Sequence, residues 1–337
     1  MSTIGKTLNQ FIIESQRAFP DASGDLSGLL NDIGVACKQI AHLVTRSGIS
    51  GLGGYAETHN VQGEPQKQLD ILSHDIFVQQ LGWTGHLAAM ISEEIEDVIS
   101  IPTRYPRGQY LLAFDPLDGS SNLDVNVSVG SIFSILRCPD STTQPGMKAF
   151  LQPGTAQVCA GFTVYGPATV LVLTLGNGVH GFTLDRDVGE FILTHPNLRI
   201  PQQTAEFAIN MSNQRHWDSP VEKYIGECLA GADGVREKNF NLRWVASMVA
   251  EVYRILMRGG VFLYPIDERI RQQGGRLRLL YEANPMSFIV EQAGGLSSTG
   301  EQRILELMPT ELHQRVPVIL GSSAEVARLI RYHQKPE

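Results

Sequence analysis

The sequence predicts an α+β or α/β protein with helices packed between sheets. Three observations point there. Before residue 81, apolar residues recur with helical period. From about 110 to 193 the chain is rich in strand-like runs separated by turn residues. Beyond 200, short strands alternate with helix-like segments.

Residues 3–19 predict a short amphipathic helix on Leu8, Phe11, Ile12 and Phe19. Pro20-Asp21-Ala22-Ser23-Gly24-Asp25 reads as a loop with several N-caps. A strong helix begins at Leu26, with Leu29, Leu30, Ile33, Cys37, Ile40, Leu43 and Val44 on one face, and stops near Ser47-Gly48. The Gly-rich segment from Gly48 to Pro65 predicts a long loop. A helix follows from Gln66 to Leu81 with Asp70 near its start, and Met90-Ile91-Ser92 predicts a strand ending in Glu93-Glu94. Tyr110–Phe114, Val127–Leu136, Ala160–Tyr165, Ala168–Leu175 and Gly178–Leu184 read as strands, with a hairpin at Gly176-Asn177 and further β structure to Leu193. Ala205–Asn210, Val261–Tyr264, Arg276–Leu280 and Pro317–Leu320 are strand-like. Pro220–Leu229, Trp244–Met257, Tyr281–Ala293 and Ala324–Tyr332 are helix-like.

The 337 residues suffice for two domains, and the change of character near 200 divides 1–200 from 201–337. No apolar run approaches the ~18–20 residues of a membrane span. Met1–Lys6 lacks a basic region followed by an apolar one, so a cytoplasmic protein with no membrane partner is expected. Cys37, Cys138, Cys159 and Cys228 are widely spaced without C-x-x-C, which reads as reduced thiols. A formal charge of −8 argues against nucleic acid but not against an anionic substrate, because bound cations and arginines can invert the local field.

The chemistry centres on Asp115-Pro116-Leu117-Asp118-Gly119-Ser120-Ser121-Asn122. Pro116 has no N–H, so the preceding strand is expected to end there. Pro and Gly force a turn that lets Asp115, Asp118 and the Leu117 carbonyl converge. Hard cations such as Mg²⁺ want oxygen ligands of this kind. Gly119, Ser120 and Ser121 then supply small side chains, hydroxyls and N–H groups suited to a phosphate. Asp, Pro and Gly are also ordinary turn residues, so the run alone is equally a plain turn.

Other acidic residues decide between these readings. Glu93 and Glu94 end a strand, Glu282 follows an apolar run, and Asp70 lies on a helix after the long loop. If the strand persists, Glu93 and Glu94 point to opposite sides, so one can bind metal while the other, or Asp70, handles a water. Carboxylates crowded without cations raise one another's pKa, and bound Mg²⁺ removes that penalty. There are enough of them for two or three divalent ions, as in sites that clamp both oxygens of an in-line displacement.

These residues closely resemble class 1 fructose-1,6-bisphosphatase, within the lithium-sensitive, Mg²⁺-dependent sugar-phosphatase superfamily. The likeness is carried by Leu69–Ser73, Ser92-Glu93-Glu94, Phe114–Asn122, Gly259–Pro265, Leu277–Met286 and His313-Gln314-Arg315, and spans nearly the whole chain. It implies a five-layer α-β-α-β-α fold and hydrolysis of the 1-phosphate of fructose 1,6-bisphosphate. It implies Mg²⁺ ligands at Glu93, Asp115, Leu117 (carbonyl), Asp118 and Glu282, with Mn²⁺ as an alternative ion. Glu94 and Asp70 would orient or deprotonate the attacking water, and Asp118–Ser121 would hold the reacting phosphate. Asn210, Arg243, Trp244, Tyr264, Arg276 and Arg278 would hold the sugar and its 6-phosphate, Arg243 reaching in from a neighbouring subunit of a homotetramer. Three positions depart from the family: Arg276 replaces a Lys, Trp244 replaces a Tyr, and Asn213 stands where a Tyr is expected. A fork in place of a compact ammonium changes phosphate geometry.

The resemblance also implies an AMP inhibitory site at Ser23, Gly24, Asp25, Leu26 and Ser27, with Tyr110 and Arg137; Gln109 replaces a usual Lys. A plain helix cap is the less favoured reading of Ser23–Ser27. The expected activity is a fructose-1,6-bisphosphatase of gluconeogenesis or carbon fixation. Sedoheptulose 1,7-bisphosphate as the substrate, or as a second one, is the near alternative. A non-catalytic AMP or sugar-phosphate sensor is the distant one, against which the complete carboxylate set speaks.

Overall fold

A computed structural model describes residues 5–18, 22–52, 54–59, 65–140 and 143–334. Phe19, Pro20, Asp21 and part of the expected 48–65 loop lie outside the described residues. The helices are α1 (Leu8–Gln16), α2 (Asp25–Ser50), α3 (Gln68–Leu81), α4 (Met147–Phe150), α5 (Ser219–Ala230), α6 (Met248–Arg258), α7 (Asn284–Gln292) and α8 (Ser323–Gln334). A two-stranded ribbon, β1 (Tyr55–His59) with β2 (Pro65–Lys67), occupies part of the stretch expected to be loop.

The first large sheet uses β3 (Leu87–Ser92), β4 (Ile99–Ser100), β5 (Tyr110–Asp118), β6 (Val129–Arg137), β7 (Gln157–Tyr165), β8 (Thr169–Thr174), β9 (Val179–Asp185) and β10 (Glu190–His195). Its order is β10-β9-β8-β7-β6-β5-β3-β4, antiparallel except for the β3–β5 pair. The second sheet uses β11 (Glu206–Ala208), β12 (Asn241–Leu242), β13 (Val261–Tyr264), β15 (Leu296–Ser298) and β17 (Val318–Gly321), in the order β12-β11-β13-β17-β15. A short ribbon pairs β14 (Leu277–Arg278) with β16 (Arg315–Val316).

The strand period of two sorts side chains into separate cores. Leu112 and Phe114 of β5 and Cys159 of β7 face a core shared with Ile33, Cys37 and Phe77 of α2 and α3. Ala160 and Phe162 of β7 face the opposite way, into a core with Val249 and Val252 of α6 and Met286 and Ile289 of α7. Phe262 of β13 closes that core from the second sheet. Its neighbours Val261 and Leu263 turn outward to Tyr224 of α5 and Val326 of α8. The layers are therefore α1–α3, first sheet, α6–α7, second sheet, α5 with α8: α-β-α-β-α, as expected.

Three local expectations need correction. β5 does not end at Pro116 but runs through Asp118. The register against β6 shifts between Asp115 and Asp118, a bulge that relieves the ladder of the N–H proline lacks. The Pro116 carbonyl instead accepts the Ser131 hydroxyl at 2.7 Å. Second, α6 begins at Met248, not Trp244, because Ala246 adopts a φ of 61° that no helix tolerates. Third, the strand expected over Arg276–Leu280 stops at Arg278, and Leu279–Ala283 forms a π-helical turn before α7.

Candidate active site

The bulge in β5 shapes the centre of the site. The Leu117 N–H donates to Asp115 Oδ1 at 3.0 Å, which turns the Asp115 carboxylate back over its own loop. Asp118 Oδ2 accepts the Val249 N–H at 2.9 Å and the Ser247 hydroxyl at 3.2 Å, so the start of α6 fixes its rotamer. Glu282 arrives on the π-helical turn, and its Oε2 accepts the Arg278 N–H at 2.6 Å. π turns concentrate at functional sites. One oxygen from each of Asp115, Asp118 and Glu282 lies within 4.8 Å of the other two, and all three residues are buried. Burial, followed by neighbouring carboxylates, drives the Asp115 pKa well above its ordinary value. Burial likewise raises the pKa of Asp118, and that of Glu282 against the pull of Arg278.

Glu93 stands beside this trio, and β3 ends one residue before it, so strand alternation does not separate Glu93 from Glu94. The Glu93 carboxylate takes Arg278 Nη2 at 2.9 Å. Arg278, expected at the sugar phosphate, lines the cleft and is 5% exposed, with Nη2 paired to Glu93 and Nη1 3.8 Å from Glu282. Glu94 Oε2 accepts Gln66 Nε2 at 2.5 Å. Burial, then Glu93 and Asp70, push the Glu94 pKa up to about 8. Asp70, the third residue of α3, accepts the Lys67 N–H at 2.7 Å, and burial raises its pKa to about 7.

These carboxylates open onto a cleft of about 420 Å³. Glu93, Asp115, Leu117, Asp118 and Glu282 line it, with Gly119, Ser120 and Ser121 beside them. Gly119 has a φ of 76° and leads into a 3-10 turn over Ser120–Asn122, which bends the backbone over the cleft. Asn210, Trp244, Tyr264 and Arg276 also line it. Trp244 stacks on Phe262 and meets Tyr264 edge-on, each at 6.0 Å. Asn213 sits on the 3-10 turn Met211–His216. Arg243 does not line its own chain's cleft; its Nε lies 3.5 Å from Glu206 Oε1 and its side chain is half-exposed.

Sequence reasoning missed Lys67, which is buried, lines the cleft and places its Nζ 3.2 Å from Asp124 Oδ1. The available signal was its place one turn before Asp70. His74 was also missed: its Nδ1 lies 2.8 Å from Ser92 Oγ, which accepts the Glu94 N–H at 3.3 Å. At the other candidate site, Gly24 (φ 91°) precedes α2 and the Ser23 hydroxyl donates to Asp25 Oδ2 at 2.7 Å, with Leu26 and Ser27 in the first turn. The Arg137 guanidinium lies 5.4 Å over the Tyr110 ring, and Asp25 is near enough to act on the Tyr110 hydroxyl. His86 packs against Gly28 of α2, 3.7 Å from Asp25 and 3.8 Å from Asp32. A lone His gave no sequence signal.

A layered α-β-α-β-α fold whose cleft is lined by an oxygen-only carboxylate cluster together with cationic and aromatic groups defines a class: cation-dependent enzymes that bind polar, anionic small molecules. Comparison with known proteins is specific. Residues 6–196 match the model of the fructose-1-6-bisphosphatase N-terminal domain, and residues 200–334 that of its C-terminal domain. The class 1 fructose-1,6-bisphosphatase of Halorhodospira halophila is 58% identical over 98% of this chain and 99% of its own. A class 1 fructose-1,6-bisphosphatase of Methylibium petroleiphilum is 56% identical over 99% of this chain and 94% of its own. The crystal structure of Leishmania major fructose-1,6-bisphosphatase in holo form superposes with a TM-score of 0.91 at 41% identity, covering 99% of this chain and 100% of that one. The chain belongs to the fructose-1,6-bisphosphatase family.

Proposed function

We propose that this chain is a cytoplasmic, Mg²⁺-dependent fructose-1,6-bisphosphatase that hydrolyses the 1-phosphate of D-fructose 1,6-bisphosphate to D-fructose 6-phosphate and phosphate. The observation that carries the reading is the gathering of Asp115, Asp118 and Glu282 oxygens within 4.8 Å, in a cleft that Arg276 and Asn210 also line. The donor set fits hard divalent cations: oxygen only, buried, and pushed toward proton uptake first by burial and then by neighbouring carboxylates. Asp115, the Leu117 carbonyl, Asp118, Glu282 and Glu93 would hold the ions, two to three per subunit, Mg²⁺ or Mn²⁺. Bound there, the ions supply Lewis acidity toward the phosphoryl oxygens and lower the pKa of water.

The chain's own residues do the rest. Gly119, Ser120 and Ser121 hold the reacting phosphate beside the carboxylates. Arg276, Asn210, Trp244 and Tyr264 hold the sugar and its second phosphate, the guanidinium forking onto two oxygens. Glu94 and Asp70, whose carboxyls burial holds above the ordinary range until cations bind, would as carboxylates take a proton from an attacking water. Phosphoryl transfer asks mainly for positioning and charge neutralisation. Phosphate release from fructose 1,6-bisphosphate in Mg²⁺ tests the reading. Glu94→Gln is expected to lower kcat about 10²-fold, and Asp118→Ala to abolish turnover. A wild type that binds the bisphosphate without releasing phosphate leaves only a sensor.

Trp244 favours one second reading. Its indole against Phe262 and Tyr264 shapes the sugar end of the cleft, so sedoheptulose 1,7-bisphosphate is proposed as a further substrate. Comparing kcat/KM for the two sugars checks it. AMP is proposed as an inhibitor at Ser23–Ser27 with Tyr110 and Arg137; unchanged activity at millimolar AMP removes this claim.

A further inference from the structure

The reaction above leaves one sequence motif without a task. Each residue of His313-Gln314-Arg315 holds one residue of the run that carries Glu282. Arg315 pairs with Arg278 in the β14–β16 ribbon. The Gln314 carbonyl accepts the Leu279 N–H at 2.7 Å. The Gln314 side chain accepts both the Thr310 N–H at 2.7 Å and its hydroxyl at 3.0 Å, which fixes the segment that presents it.

His313 does more. Its Nε2 lies 3.1 Å from the Glu96 carbonyl oxygen, and its Nδ1 lies 2.7 Å from the Tyr281 hydroxyl. A carbonyl only accepts, so Nε2 carries the hydrogen. In the neutral ring Nδ1 is then an acceptor, and the Tyr281 hydroxyl donates to it. Tyr281 is fully buried on the π-helical turn, adjacent to Glu282. Glu96 lies just beyond Glu93 and Glu94. One imidazole therefore spans two loops that bring acidic residues from distant parts of the sequence. A π turn is rare and held mainly by its surroundings, so outside contacts set where it places Glu282.

We infer that His313, acting through Tyr281 and the Glu96 carbonyl, is a positioning residue for the cation site: it holds the Glu93–Glu94 loop and the Glu282 turn at the separation the ions require. The inference rests on the reading of Asp115, Asp118 and Glu282 as ligands.

The test is Mn²⁺ binding to the full chain, measured by calorimetry and by the electron paramagnetic resonance of free Mn²⁺. The variants are Tyr281→Phe, which removes one hydroxyl, His313→Phe, their double, and His313→Asn, whose Oδ1 can still accept from Tyr281. Tyr281→Phe and His313→Phe are each expected to weaken Mn²⁺ binding about tenfold, the size typical of outer-shell partners. The double is expected to be no weaker than His313→Phe, because both residues act in one chain of contacts. His313→Asn is expected to fall between His313→Phe and wild type. Mn²⁺ affinities within twofold of wild type in both phenylalanine variants, with only thermal stability lowered, overturn the inference. Tyr281→Phe decides alone if His313→Phe fails to fold. A wild-type chain that binds no Mn²⁺ overturns the ligand reading beneath it.

Discussion

Glu94 and Asp70 retain protons at pH values where ordinary carboxyls are ionised, with pKa values of about 8 and 7. Burial is the main cause, and the buried Asp115 and Glu282 share it. The sign of the consequence is fixed. Between ordinary carboxylate pKa values and about 8, the folded chain binds more protons than the unfolded one, so stability falls as pH rises. Divalent cations favour the ionised form and offset that loss. The cation-free chain is therefore expected to lose Tm from pH 5.5 to 8.5, while the gain in Tm on adding Mg²⁺ grows over the same range. A gain independent of pH contradicts the assignment. At this scale the convergence of Asp115, Asp118 and Glu282 was legible because each follows an apolar run or turn at the end of an expected element. The pairing of Arg278 with Glu93 and its approach to Glu282 were not: the sequence spacing of an arginine does not say which carboxylates will face it in a cleft it also lines.

At the scale of elements, most helices and strands followed from periodicity, and the misreadings fall where the site imposes special backbone. Proline read as the end of β5, yet a bulge lets the strand continue and aims both aspartates. Helical periodicity ran back to Trp244, yet the left-handed Ala246 breaks it. Asn122 Nδ2 donates to the Ala246 carbonyl at 3.0 Å, and Glu251 accepts the Val245 N–H at 2.5 Å, holding that break in place. Gly119, with a φ of 76°, is where these elements approach closely. A Cβ there would meet Ser247 Cβ at 2.8 Å, on a residue whose hydroxyl fixes Asp118. Gly119→Ala is expected to destabilise the chain by about 1–2 kcal/mol through its positive φ. It should also lower kcat at least tenfold at saturating Mg²⁺. Denaturant unfolding and phosphate-release assays check both, and wild-type turnover in a destabilised Gly119→Ala chain shows that catalysis does not depend on this close approach.

For the whole molecule, the five layers follow from strands that bury both faces, which forces helices onto each side of two sheets. The sequence could not show that layering from periodicity alone; the family likeness supplied it. Among the described residues no helix is long and apolar enough to cross a membrane. Arg243 is the feature that looks beyond one chain. It is half-exposed, held by Glu206, and absent from the cleft of its own chain. The homotetramer that the family likeness implies would let Arg243 reach a neighbouring chain's cleft. Arg243→Ala is expected to raise KM for the bisphosphate about tenfold, as loss of one charged hydrogen-bonded contact does. Mixing Arg243→Ala with Asp118→Ala chains is then expected to restore wild-type KM in part of the population, since mixed assemblies contain clefts with intact carboxylates and an intact neighbouring arginine. No recovery on mixing places Arg243 outside any shared site.

The most direct test of the central claim, that carboxylates from distant parts of the chain form one cation site driving phosphate-ester hydrolysis, is a Mg²⁺ titration of phosphate release from fructose 1,6-bisphosphate by wild-type and Glu282→Gln chains. The substitution keeps shape and removes one charge. The account predicts Mg²⁺-dependent release by the wild type and a loss of about 10²-fold or more in a folded Glu282→Gln chain, with the Mg²⁺ requirement shifted upward. A Glu282→Gln chain that matches the wild type in rate and Mg²⁺ dependence would contradict it.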